Sequence, residues 1–305
     1  MNIHKPRVTI VSSSDETYAP LLEDLIASIR AHRALDWIDV SVVSHGMTAE
    51  TEARVRGTVE NFAQGRWNIE QAGKRAGDRD WLMGRVVKLF MSDYFPDYDI
   101  YIWIDADAWV SDPWAVEWLI KGAQRSGLAI AYDENALSPI PVKLTWLPFG
   151  LALARTYCMK HLRRAGMPQS LIRDLALCKP FNNGVFALTK DAPHWAAIQA
   201  NMARLVRKGR IVGNNQVAII MAVHADGLPV SILPHAANYL DIPMVDAKTG
   251  AFVEAILPHH PVSIMHLAAR DEMRADATVE MDMLDTEGNT VRRSLRYRPE
   301  YLAKG

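Results

Sequence analysis

The sequence predicts an α/β fold built on a mostly parallel central sheet, and three observations support this. Over the first 110 residues, short apolar runs alternate with amphipathic stretches at helical spacing, the pattern of strands joined by crossover helices. The chain has 305 residues, 49% hydrophobic and 23% charged, which is ordinary globular composition for one large α/β domain or two smaller ones. Finally, the most apolar run, Tyr101 to Val110 (YIWIDADAWV), is interrupted by two carboxylates where a strand would leave the sheet.

Taken in order, Arg7 to Ser12 (RVTIVS) reads as a buried first strand ending in the polar turn Ser12-Ser13-Ser14-Asp15. A helix is expected over 20–33, where Leu21, Leu22, Leu25, Ile26 and Ile29 share one face. Strand 37–44, a charged helix over 48–62, a short strand over 67–69 and a Gly-containing loop over 73–80 follow. A helix over 81–94 stops before Pro96, and the strand carrying the aspartates comes next. Beyond it we expect helix 114–126, strand 128–132, an irregular stretch with three prolines over 138–150 and helix 151–166. Strand 181–189 (FNNGVFALT), helices 192–208 and 214–224, and strands 230–233 and 262–265 complete the reading, the last delivering His266.

Charge and cysteine usage exclude several classes. The formal net charge of −1 provides no basic field for nucleic acid. Cys158 and Cys178 have no metal-type spacing and suggest a reducing compartment with no disulfide framework. The N-terminal apolar run is too short for a secretory signal, and no run approaches the roughly 18 residues of a membrane span. A cytoplasmic protein is the expectation.

Asp105 and Asp107 are the chemistry-bearing pair. Carboxylates in an apolar segment are costly unless paired or bound to a cation. At the C-terminal end of a strand in an open α/β sheet they face the ligand crevice. Mg²⁺ and Mn²⁺ take oxygen ligands and are often shared with substrate phosphates. A solvated turn is the plainer reading of any Asp-x-Asp, but apolar residues flank this one on both sides. His266 follows the apolar stretch PVSIM, so it also falls at a strand end, and it is the candidate third ligand. His259 and His260, in a proline-flanked loop, read as bystanders.

Together, VTIVSSSDETYA, VVKLFMSDYFPDYDIYIWIDADAWV, FNNGVFALT, NNQVAI and SIMH resemble the glycosyltransferase family 8 pattern. That family includes glycogenin and bacterial lipooligosaccharide galactosyltransferases. The resemblance spans most of the first 270 residues in the right order. It implies a GT-A fold over 1–270 with a C-terminal extension over 271–305, and a UDP-linked sugar donor held with Mn²⁺ (or Mg²⁺). It also implies a saccharide or lipid-linked acceptor and transfer with retention. Position by position, it assigns Asp105, Asp107 and His266 to the metal and Ser13, Asp15 and Tyr18 to the uridine. Lys88 falls at the basic donor-contacting position, and Asn182 and Gln216 fall at the reaction centre.

Two departures stand out. The family's Asp-Gln pair is Asn215-Gln216 here, and the Gly and then Lys-Pro-Trp that usually follow the family's histidine and clamp the diphosphate are replaced by LAARDEMR after His266. Arg270 or Arg274 could replace that clamp, because guanidinium binds phosphate bidentately; a solvated charged face is the equal alternative. Asp133 and Glu134 could orient an acceptor hydroxyl, although an exposed acidic turn is the plainer reading. The tail (Arg292, Arg293, Arg296 and Arg298 with Leu295, Tyr297 and Tyr301) could rest on an anionic membrane, or it could pack on its own domain. Two other functions stay open: a haloacid-dehalogenase-like phosphatase and a non-catalytic nucleotide-sugar binding protein.

Overall fold

A computed structural model describes residues 5–133 and 139–302. In chain order it runs β1 (Val8–Ser14), α1 (Ala19–Arg30), β2 (Asp39–Ser44), α2 (Ala49–Arg56), β3 (Asn61–Gln64), α3 (Glu70–Ala76), α4 (Gly84–Val87), α5 (Met91–Tyr94), β4 (Ile100–Ile104) and β5 (Ala108–Val110). Next come α6 (Trp114–Ser126), β6 (Leu128–Tyr132), β7 (Lys143–Trp146), β8 (Ala152–Arg155), α7 (Tyr157–Arg164), α8 (Gln169–Asp174), β9 (Phe181–Thr189), α9 (His194–Val206) and α10 (Asn214–His224). The chain closes with β10 (Ser231–Leu233), β11 (Met244–Val245), β12 (Phe252–Val253), β13 (Ile264–His266), α11 (Asp271–Ala275), β14 (Met281–Leu284) and β15 (Thr290–Arg293).

The central sheet has seven strands in the order β10-β6-β9-β4-β1-β2-β3. Only β9 runs against its neighbours, so the sheet is mostly parallel, as expected. The chain builds outward from β1 through β2 to β3, then returns to lay β4 on the other side of β1. The C-terminal ends of β1 and β4 therefore flank the topological switch point, where open α/β sheets bind ligands.

Both faces of the sheet are covered. Along β4, Tyr101 and Trp103 enter one core with α9 and α10, while Ile100, Ile102 and Ile104 enter the other with α1 and α6. Alternation of side chains along a strand requires this division. Each large side chain so buried contributes roughly 2–3 kcal/mol. A third core joins Trp109, Tyr239, Phe252, Met273, Leu295 and Tyr301, so the C-terminal segment packs on β5 and β13. Its basic residues have partners within the chain: Arg296 with Asp24 at 2.6 Å, Arg298 with Glu280 at 3.4 Å, and Arg293 with the Gly250 carbonyl at 2.7 Å.

Several expected elements differ. The helix expected over 48–62 ends at Arg56, and 61–64 pairs with β2 as an edge strand lacking β-branched residues. No strand forms at 67–69; Trp67 and Ile69 pack on the core instead. The expected loop at 73–80 begins as α3, in which Gly73 is required by packing, since a Cβ there would lie 2.9 Å from the Trp67 ring. The helix expected over 81–94 is broken into short turns. Val86 to Met91 are all buried, and Lys88 among them turns inward to Asp105 and the Asn183 carbonyl. The helix expected over 151–166 is half strand (β8) and half helix (α7), with Thr156 capping α7 by accepting from the Met159 N–H at 3.3 Å.

Candidate active site

Asp105 and Asp107 lie in the turn between β4 and β5, and β5 pairs antiparallel with β13, placing His266 opposite Ala108. One ligand atom from each of Asp105, Asp107 and His266 lies within 4.8 Å of the others. His266 Nε2 stands 3.4 Å from Asp107 Oδ1 and 4.0 Å from Asp105 Oδ2.

The histidine's tautomer is fixed from behind. Asn238 Nδ2 donates to Asn182 Oδ1 at 2.9 Å, so Asn238 Oδ1 is left to accept from His266 Nδ1 at 2.9 Å. With Nδ1 donating to Asn238, Nε2 is the ring atom turned toward the carboxylates, the position from which it could ligate a divalent ion. Asn182 Nδ2 in turn donates to Asp133 Oδ1 at 2.7 Å, and Asn182 Oδ1 also accepts from the Gly184 N–H at 2.8 Å. Gly184 must be glycine, because a Cβ there would meet the His266 ring at 2.2 Å. The donor set of two carboxylates and one imidazole could hold a divalent metal ion.

Cations surround the pair. Lys88 is 1% exposed, donates from Nζ to Asp105 Oδ1 at 2.7 Å and to the Asn183 carbonyl at 3.0 Å, and its Nζ lies 5.1 Å from the Trp103 ring centroid. Burial pulls its ammonium below the ordinary lysine value, opposed by Asp105. Trp103 Nε1 donates to the same Asp105 oxygen at 2.7 Å. Arg274 Nη2 sits 2.5 Å from Asp107 Oδ2 and its guanidinium carbon 6.0 Å from the Tyr18 ring centroid. Burial opposes the Asp107 charge, but the Arg274 guanidinium beside it helps hold the carboxyl well below its usual range. Of the two arginines read from the sequence, Arg274 is thus placed at the acidic pair, while Arg270 donates to the Leu240 carbonyl at 3.4 Å.

Ser13, Asp15, Tyr18, Lys88, Asp105 and Asp107 line one cleft, joined there by His45, Trp81 and Arg85. Asp15 Oδ1 accepts from the Tyr18 N–H at 3.0 Å, which shapes the loop after β1. Gly84 lets this wall close up, since a Cβ there would sit 2.9 Å from His45 Nε2 and 3.0 Å from Ser13 Oγ.

Gln216, in the first turn of α10, donates to the Phe181 carbonyl, and its Oε1 accepts from the Tyr157 hydroxyl at 2.9 Å. Asn182 and Gln216 thus meet around the start of β9 with Asp133, whose carboxyl burial pushes above its ordinary value. Asn215 is buried with Nδ2 unpartnered. Glu134 lies outside the described residues. The sequence reading missed Asn238, Tyr157 and Trp103. Asn238 sits in no motif, and only the requirement of a ligating histidine for an Nδ1 acceptor points to it.

No protein-family model matches the chain, and no curated protein sequence matches it. Solved structures do. The galactosyltransferase LgtC, in complex with donor and acceptor sugar analogs, matches with a TM-score of 0.54 at 16% identity, over 86% of this chain and 87% of that one. The bifunctional glycosyltransferase WbbM, in its apo structure, matches with a TM-score of 0.54 at 15% identity, over 88% of this chain and 47% of that one. The chain has the GT-A fold of glycosyltransferases, as the sequence led us to expect. Neither alternative function read from the sequence is favoured by these likenesses.

Proposed function

We propose that this protein is a metal-dependent glycosyltransferase that moves a sugar from a UDP-linked donor to a hydroxyl of a saccharide or glycolipid acceptor, with retention of configuration. The observation that carries this reading is the convergence of Asp105, Asp107 and a correctly protonated His266 at the switch point of the sheet. The cleft after β1 adjoins it on one side, and the amides of Asn182 and Gln216 stand on another.

Tyr18 offers a stacking face for the base, with Ser13 and Asp15 beside it. Asp105, Asp107 and His266 would hold Mn²⁺ or Mg²⁺, which would supply positive charge for the leaving diphosphate. Lys88 holds Asp105 in place for this, and Arg274 stands where its guanidinium can pair with phosphate oxygens in the absence of the Lys-Pro-Trp clamp. The bond from the anomeric carbon to phosphate breaks with its electron pair going to the diphosphate. The acceptor oxygen forms the new bond to the anomeric carbon, and its proton passes to an oxygen of the departing diphosphate. Asn182 and Gln216, held in place by Asn238, Gly184 and Tyr157, line the sugar position with polar amides. Asp133, adjoining both, orients the acceptor hydroxyl. The test is a panel of nucleotide sugars with Mn²⁺, read as released nucleoside diphosphate and as thermal stabilisation. A donor that does both identifies the sugar, and a panel without any response defeats the reading.

A further inference from the structure

The hairpin β7–β8 carries an apolar tip that no described residue covers. Every residue from Pro141 to Arg155 is exposed, with Trp146 at 72%, Leu151 at 63% and Phe149 at 100%. Phe149 also holds a left-handed backbone (φ 65°), so the turn presents its ring outward at a conformational cost. A two-stranded ribbon is marginally stable alone in water, and a contiguous exposed apolar patch marks an interaction site.

Charge indicates what covers it. Lys143 and Arg155 are paired directly across the ribbon at its foot. Like charges in that position repel, and neither has an acidic partner among the described residues. Residues 139–173 contain six Lys or Arg and no Asp or Glu, in a chain whose net charge is −1. Lys160, Arg163 and Arg164 follow on α7, whose apolar Cys158 and Leu162 are already buried in the core.

The apolar groups do not form one flat face for a protein partner. Leu144 and Trp146 point to one side of the ribbon and Leu153 to the other, while Leu147, Phe149 and Leu151 form the tip. Polarity changes along the ribbon, from apolar tip to basic foot. Three strand steps of about 3.4 Å put Lys143 roughly 10 Å from Trp146, about the depth over which a bilayer passes from headgroups to acyl chains. We propose that the 141–155 hairpin inserts its tip into an anionic phospholipid membrane, with Lys143 and Arg155 at the headgroups. The hairpin arises between Asp133 and Tyr157, which touch Asn182 and Gln216. Insertion there holds the reaction centre at the membrane and makes the acceptor a lipid-linked saccharide; this last clause alone rests on the proposed transfer.

The test is co-sedimentation of the full chain with phosphatidylglycerol-containing vesicles and with phosphatidylcholine vesicles, without donor. Binding is expected to the anionic vesicles only and to weaken with salt. The double variant Trp146→Ser/Phe149→Ser and the charge variant Lys143→Glu/Arg155→Glu should each bind at least about tenfold more weakly. Because all four side chains are exposed, both variants should keep the wild-type melting temperature and Mn²⁺-dependent donor stabilisation. Absence of vesicle binding, or binding that neither variant reduces, overturns the proposal. So does a wild-type dimer that the tip variant dissolves while vesicle binding is unchanged, since the tip would then cover a second copy. Donor stabilisation is read separately, so failure of the transfer reading leaves the vesicle result intact.

Discussion

Replacing Asn238 by alanine tests the part of the site farthest from any sequence motif. In the wild type its amide accepts from His266 Nδ1 and donates to Asn182 Oδ1, each at 2.9 Å. Alanine removes both bonds. At a net worth of about 1 kcal/mol each, the fold loses about 2 kcal/mol and stays folded. The imidazole loses the acceptor that selects its tautomer, and such losses behind a ligating histidine typically cost about 10–100-fold in metal affinity, or roughly 1.4–2.8 kcal/mol. Calorimetric titration of Mn²⁺ in the presence of UDP reads this directly. Asn238→Asp separates the two bonds, because a carboxylate still accepts from Nδ1–H but cannot donate to Asn182. It should keep near-wild-type Mn²⁺ affinity and slow transfer. Wild-type Mn²⁺ affinity in Asn238→Ala would refute the claim that this amide sets the histidine.

Asp107→Ala should abolish Mn²⁺-dependent UDP binding, checked by calorimetry; unchanged affinity removes Asp107 from the metal. Gln216→Ala should lower the transfer rate more than it weakens UDP binding, and equal transfer activity would remove Gln216 from the reaction centre. His161 packs against Gly213, and burial lowers its pKa from 6.5 to about 4. The unfolded chain then binds more protons than the fold between pH 6.5 and about 4, so stability falls as pH drops through that window. Urea midpoints should show a shallower fall for His161→Gln, and identical slopes would exclude His161 as a source.

The sheet was legible because its strands are short apolar runs with clear ends, and β1, β4, β6 and β9 form close to where the pattern puts them. The acidic pair was legible because two carboxylates at an apolar strand end are costly without partners, and the structure brings Lys88, Arg274 and His266 to them. Elements with mixed roles were not. Val86 to Met91 read as helix by composition but fold as short turns that carry Lys88 to Asp105. The β7–β8 hairpin reads as irregular chain and helix because its strands are only four residues each, lie beside prolines and bury no side chain in the core. Arg270 and Arg274 are indistinguishable by type, and only the geometry of α11 places Arg274 on Asp107. Asn238 is recognisable only through the atom it touches.

The central claim is tested most directly by following nucleoside diphosphate release from a panel of UDP-sugars with Mn²⁺ and with EDTA, for wild type and Asp107→Ala. The account predicts that at least one donor is cleaved by wild type with Mn²⁺, and that EDTA or the substitution abolishes cleavage. Cleavage that persists in EDTA or in Asp107→Ala, or no cleavage or stabilisation by any donor with either Mn²⁺ or Mg²⁺, would contradict it.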